Sequence, residues 1–310
     1  MYALSVLRSA NRLQIAGLPR LLAVAIIMGA VAPAAAGQKT PATNDCDRLA
    51  GSRYDGERNR GFKPVDADSI NVDAALEACS AALDATNAPR FAFQLGRVQD
   101  RAGEISSAVD HYSRAANAGY AIALVHLGAI AGRMGDAQQE FRYFTEAAEK
   151  GNALGAYNLG VAYRDGNGTN VDGALAIKWF TRASVQGYDV AAFNLGAIYD
   201  EGKIVPEDNR LAINWYNIAA ARGNVDAMIN LGLMLESGEG TDRNIAAAAI
   251  MYREAAARGD SFGSAKFEAL RSVLVAQDPG EVEHQARVVD DGEHPGKDAG
   301  PTPVVRRKAI

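Results

Sequence analysis

Apolar residues in the middle of the chain fall at helical spacing, and the whole arrangement then recurs. Within residues 153–187 they stand at Ala156, Leu159 and Tyr163 and, after a polar turn, at Ala176, Phe180 and Ala183. Positions three and four apart share one face of an α-helix, so this stretch predicts two amphipathic helices joined by a turn. The pair Leu159-Gly160 reappears as Leu195-Gly196 and Leu231-Gly232 at steps of 36, and earlier as Leu127-Gly128 and Leu95-Gly96 at steps of 32. Glycines close the units at 119, 151, 187, 223 and 259. A hairpin of two short helices cannot bury its apolar face alone. A repeat of this period therefore predicts an all-α fold, an α-solenoid of five stacked helix-turn-helix units over residues 89–259.

The local chemistry agrees with that reading. Gly160 removes a side chain where another helix must approach closely. Small residues at Ala176, Ala212 and Ala248 precede large aromatics at Phe180, Tyr216 and Tyr252 by four positions. Asp172, Asp208 and Asn244 stand where a side-chain oxygen would accept from the free N–H groups that start each second helix. From the Leu-Gly glycine to the closing glycine the count is 23 in the first two units and 27 in the last three. Four extra residues therefore sit in the turn between paired helices, where DGNGTNVD and EGKIVPED supply Gly, Pro and Asn.

The segments NLGVAYRDGNG with ALAIKWFTRASVQG, NLGAIYDEG with LAINWYNIAAARG, and NLGLMLESGEG with AAIMYREAAARG resemble the Sel1-like repeat family, a tetratricopeptide-like family with a longer internal turn. The resemblance covers residues 153–259. The first two units look more like ordinary tetratricopeptide units, and the second carries Glu140 where the others have alanine. In such stacks the first helices are expected to line a concave groove, and the resemblance implies a protein or peptide as the guest.

The ends of the chain follow different patterns. Arg8, Arg12 and Arg20, the apolar run Leu21 to Val31 and Ala34-Ala35-Ala36 have the form of a cleaved signal peptide over residues 1–36. The apolar run is too short to span a bilayer comfortably, so no membrane span is expected after cleavage, and the periplasm is the expected destination. Residues 37–45 read as a linker. Residues 46–88 read as a helical N-terminal cap, helical from Asn71 to Ala85 and irregular from Gly51 to Pro64, with Cys46 and Cys79 forming one disulfide. Residues 260–276 should form a capping helix, and 277–310 mix Pro, Gly and charge without periodicity, as a disordered tail would.

Charge and motifs narrow the function classes. Without the three leader arginines, 29 basic residues face 37 acidic ones, a net charge near −8, which suits no nucleic-acid backbone. There is no CxxC, no HExxH and no serine followed by lysine at SxxK spacing, so neither a cofactor, a metal nor a catalytic set is expected. His126 stands where later units have asparagine and is expected on the surface or in the groove. The Asp165–Thr169 turn fails as a calcium loop, because Asn170 and Ala176 occupy positions that need Gly and Glu.

One constellation remains. Asn158, Asn194 and Asn230 occupy the same phase of successive first helices. As a ladder along the groove their amides would grip the backbone of an extended peptide, with Tyr157, Arg164, Phe193, Asp200, Ile229 and Glu236 beside them. The alternative is that each asparagine bonds a neighbouring repeat. The expectation is an exported, non-enzymatic adaptor. Resemblance to periplasmic Sel1-like regulators suggests restraint of a sensor kinase. A cell-wall or β-lactam hydrolase and a purely structural spacer are the rival classes.

Overall fold

The computed structural model describes residues 41–277. Among them are thirteen α-helices, a short 3-10 turn at Ala67–Ser69 and no strand. The leader, residues 37–40 of the expected linker and the tail beyond Gln277 lie outside the described residues. Five hairpins form the repeats: α3 (Pro89–Ala102) with α4 (Ile105–Asn117), α5 (Ile122–Arg133) with α6 (Ala137–Glu149), α7 (Ala153–Asp165) with α8 (Gly173–Val185), α9 (Asp189–Glu201) with α10 (Asn209–Ala221), and α11 (Val225–Ser237) with α12 (Ile245–Ala257). Each helix packs chiefly on its neighbours in sequence. α1 (Pro41–Ala50) and α2 (Val72–Thr86) precede the repeats, and α13 (Ser261–Gln277) follows them.

One contact recurs in every hairpin. The glycine of each Leu-Gly pair takes the edge of an aromatic ring from the second helix: Gly96 with Tyr112, Gly128 with Phe144, Gly160 with Phe180, Gly196 with Tyr216, Gly232 with Tyr252. A Cβ on any of these glycines would stand 2.5–2.8 Å from the ring. Tyr112, Phe180, Tyr216 and Tyr252 are fully buried, each ring contributing about 2–3 kcal/mol of apolar burial. Ala176, Ala212 and Ala248 lie wholly buried on the same helices, one turn earlier.

Unit two shows how a polar exception is accommodated. Its Glu140 replaces the small alanine, and its carboxylate occupies space opened by Gly132, where a Cβ would meet Glu140 Oε1 at 2.7 Å. Glu140 also accepts from Asn167 Nδ2 at 2.7 Å, a residue of the next turn.

The turns repeat as faithfully as the helices. Asp172, Asp208 and Asn244 each cap a second helix, accepting from the N–H of Leu175, Leu211 and Ala247. Their own N–H groups return to the carbonyls of Tyr163, Tyr199 and Leu235 at 2.8–2.9 Å. The closing glycines all hold φ between 85° and 95°, a left-handed conformation that ends each second helix. In the longer turns Gly168 lies against Ala137 and Phe141, and Gly240 against Asn209. The four extra residues thus pack on the preceding unit's second helix.

The N-terminal part corrects one expectation. Residues 41–45 belong to helix α1, where Thr43, Cys46, Asp47 and Ala50 share one buried face at spacings of three and four. Cys46 is bonded to Cys79 of α2. Residues 51–64 form turns without helix or strand, as their composition suggests. At the other end α13 docks through Gly263, which approaches the backbone of Tyr252 and Ala256, and through Phe262, edge-on to Tyr252 at 6.4 Å.

Gly196→Ala tests the ring contact by sign. Alanine intrinsically favours a helix interior over glycine by about 1 kcal/mol, whereas a Cβ forced into the Tyr216 ring costs about 1–3 kcal/mol. Urea denaturation of the variant should show a net loss of stability. A neutral or stabilised protein contradicts the contact's role.

Candidate functional site

The asparagine phase extends beyond three units. Counting back and forward by the local period, it holds Gln94, His126, Asn158, Asn194, Asn230 and Lys266, all on first helices or α13. These side chains do not form one exposed ladder. They lie where each unit's second helix meets the next unit, and most are spent there.

In unit four the Tyr216 hydroxyl is the hub. It donates to Asp200 Oδ2 at 3.2 Å within its own hairpin and accepts from Asn230 Nδ2 of the next at 3.1 Å. Unit five repeats the geometry: Tyr252 donates to Glu236 Oε2 at 2.8 Å, and Lys266 Nζ of α13 reaches the same carboxylate at 3.0 Å. In unit one the Tyr112 hydroxyl lies 3.2 Å from His126 Nδ1. Burial, with Asp200 beside Tyr216 and Glu236 beside Tyr252, pushes both phenols above their ordinary range, so they remain protonated donors. Burial pushes the Glu236 carboxyl up, but the bonds from Tyr252 and Lys266 outweigh it and hold the group below its usual value.

Units two and three carry phenylalanine at the hub and differ accordingly. In unit three Arg164 crosses the junction itself, donating to Asn194 Oδ1 and gripping Asp165 with two nitrogens at 2.7 Å. Asn194 is almost fully buried and also donates to Val190 O at 2.9 Å. Unit two has neither a hydroxyl, at Phe144, nor a charged side chain, at Gly132. Asn158 is accordingly half-buried and makes no side-chain hydrogen bond among the described residues.

Several expected groove residues are therefore placed differently. Phe193 and Ile229 are core, 2% and 0% exposed, and Tyr157 is buried against Phe180 at 5.6 Å. Asn194 is buried and Asn230 is engaged by Tyr216. The cause is layering: each first helix is sandwiched between its own partner helix and its neighbours, so residues 191–198 are buried all round. Arg164, Asp200 and Glu236 remain half-exposed, but each holds the junction together.

His126 is half-buried at the edge of the core. Its ring packs on Tyr112 at 5.0 Å and edge-on to Phe93 at 5.1 Å. Burial first, then the Arg97 and Arg133 charges, lower it to about 3. It lines a cavity of about 290 Å³ with Tyr112, Arg97, Arg101, Arg133 and Asp100. The guanidiniums there are committed: Arg97 donates to Ala50 O and Val65 O, and Arg133 pairs with Asp100. No cluster of His, Cys, Asp or Glu among the described residues has the geometry to hold a metal. No described helix is long and apolar enough to cross a membrane.

Fold and seam together define a helical-hairpin solenoid whose units are stitched by polar contacts. The Sel1 repeat pattern matches residues 100–120, 135–152, 153–188, 189–224 and 225–260, complete in the last three units and partial in the first two. This chain is a Sel1-repeat protein. Among solved structures it is similar to c5321, a protective antigen of uropathogenic Escherichia coli with an SLR fold, at 33% identity and a TM-score of 0.57 over 63% of this chain and 44% of that one. A Sel1 repeat protein from Oxalobacter formigenes matches at 25% identity and a TM-score of 0.55, over 64% of this chain and 60% of that one. The chain thus spans about half the length of these two proteins. A comparison with curated proteins finds no match.

The half-buried histidine gives a pH test. Its folded-state value lies below the 6.5 of an unfolded chain, so between about 3 and 6.5 the unfolded state binds the extra proton. Stability should rise with pH through that window, by at most about 1.4 kcal/mol per unit for one proton, and level off above it. Urea midpoints at about pH 5 and about pH 7 should show a difference that His126→Asn, the residue of later units, removes. An unchanged slope in the variant contradicts the placement of His126.

Proposed function

We propose that the protein is a non-enzymatic scaffold that binds a protein or peptide along the face carrying its first helices, and that it does so after export across a membrane. Sel1-repeat proteins are generally protein–protein interaction scaffolds and typically non-catalytic, which supports the class. The signal-like leader supports export, and restraint of an envelope sensor is the narrower form of the reading. A fold of this kind does not choose the partner; surface side chains do.

The observation that carries the proposal is Asn158. It is the one residue of the recurring asparagine phase that the seam leaves unengaged among the described residues, so its amide is available to a guest backbone. A hydrolytic reading has no comparable support, because the one unusual histidine, half-buried, is committed to the Tyr112 hydroxyl and packed on Phe93.

Asn158→Ala should weaken affinity capture of envelope proteins by the disulfide-bonded chain, while its urea midpoint stays within about 0.5 kcal/mol of wild type. Asn194→Ala should instead lose stability by about 1–3 kcal/mol, because it removes a buried amide bonded to Arg164 and to Val190 O. Capture unaffected by Asn158→Ala contradicts the proposed binding face.

A further inference from the structure

The charges of the last three units are sorted by helix row. Their second helices, α8, α10 and α12, carry four basic residues, Lys178, Arg182, Arg210 and Arg253, and one acid, Glu254. Their first helices, α7, α9 and α11, carry Arg164 alone against six acids. Glu254 is shared by Arg253 and Arg258. Lys178, Arg182 and Arg210 are exposed and make no ion pair among the described residues. Lys178 Nζ and the Arg182 guanidinium each lie 5.4 Å from the centroid of the Trp179 ring, and a ring face holds a cation without consuming its N–H donors. The same row exposes aliphatic side chains: Val185 is 79% exposed, Ile250 40%, and Leu211 and Ile218 37% each. These interleave with the cations in the repeat's own register. Lys178, Arg182 and Val185, at spacings of four and three, share one face of α8. Ile218 stands one repeat beyond Arg182, and Ile250 two beyond Lys178.

We propose that this second-helix row docks on an anionic lipid surface, its cations meeting phosphate headgroups and its aliphatic tips entering the interface. Charge complementarity selects the occupant. The chain as a whole carries an excess of acids, and an anionic surface repels such a chain everywhere except where cations are gathered on one face. The aliphatic side chains select lipid over an acidic protein. Anchors of a protein interface fill pockets, whereas the cavities of about 250 and 290 Å³ lie between the N-terminal cap and the first units, away from this row. A fluid surface needs no pocket, since acyl chains close around each protruding side chain separately. Cations and aliphatic residues together on one face are also what hold a helix in a membrane interface. This docking goes beyond the peptide-binding reading and does not depend on it, because it leaves the first-helix row to a protein guest.

The test uses the disulfide-bonded chain from Gly37 onward, so that the apolar leader cannot itself enter lipid; the described helices and their cores all lie within it. Vesicles of two parts phosphatidylcholine to one part phosphatidylglycerol should carry the protein down on centrifugation, and vesicles of phosphatidylcholine alone should not. About 1 M salt, which shortens screening to about 3 Å, should release it. One Lys or Arg near such a surface is worth about fivefold in partitioning, so Lys178→Glu, Arg182→Glu and Arg210→Glu together should lower binding at least about 100-fold with the urea midpoint unchanged. Leu211→Ser, Ile218→Ser and Ile250→Ser together should lower it about tenfold. Equal sedimentation with both vesicle types, binding that survives the salt, or binding unchanged by the charge reversal overturns the inference. The salt and composition comparisons need no variant, so they decide even where a substituted chain fails to fold. If the serine changes leave vesicle binding intact and poly-L-glutamate displaces the protein from lipid, the row belongs to an acidic protein, which overturns the lipid assignment.

Discussion

The structure depends on an aromatic ring laid into the gap left by a missing Cβ. Because glycine stands at the same phase of every first helix, the two helices of a hairpin approach until ring and backbone touch. That closeness fixes where the ring's far edge emerges, and it emerges at the junction with the next unit. A tyrosine there carries its hydroxyl to a place where groups on two units can reach it. An apolar packing constraint within one hairpin thereby sets the position of polar contacts between hairpins, and nearest-neighbour stacking of this kind is what stabilises a solenoid.

The variation among units then has a physical order. With tyrosine at the ring position, an acid 16 residues earlier and a polar group 14 residues later complete a three-part bridge, as in Asp200, Tyr216 and Asn230 or Glu236, Tyr252 and Lys266. With phenylalanine the bridge is replaced by a long side chain, Arg164, or is missing, as beside Gly132 and Phe144. The two ends use the same phase for their own needs. Gln94 turns its amide to Asp47 and Asp55 of the N-terminal cap, and Lys266 brings a cation to Glu236 from the closing helix. An amide between two buried carboxylates donates without adding charge, which suits a site already served by Arg90.

Much of the fold is legible in the residues themselves. Spacing of Leu-Gly pairs locates the hairpins, Asp172, Asp208 and Asn244 mark helix starts, and the change from 32 to 36 places the longer turns. The fate of the asparagines is harder to read, because a polar residue on a helix looks the same whether it meets water or a tyrosine hydroxyl from the preceding unit. The available signal was the pairing of tyrosine with acid at a separation of 16, which is present in units four and five and broken in two and three. Phe193 and Ile229 mislead for a related reason: sandwiched first helices bury more than one stripe, so a periodic pattern understates their core. Helix α1 escapes a reading by composition because it presents only a narrow face, ending at Cys46 and Ala50.

The repeated geometry of ring and glycine makes the asparagine phase a seam between units. A double-mutant cycle on Tyr216→Phe and Asn230→Ala, read by urea denaturation, measures that seam directly. The two positions should couple by about 0.5–1.5 kcal/mol, the net worth of a hydrogen bond made across the junction. Strictly additive effects, with no coupling, would contradict it.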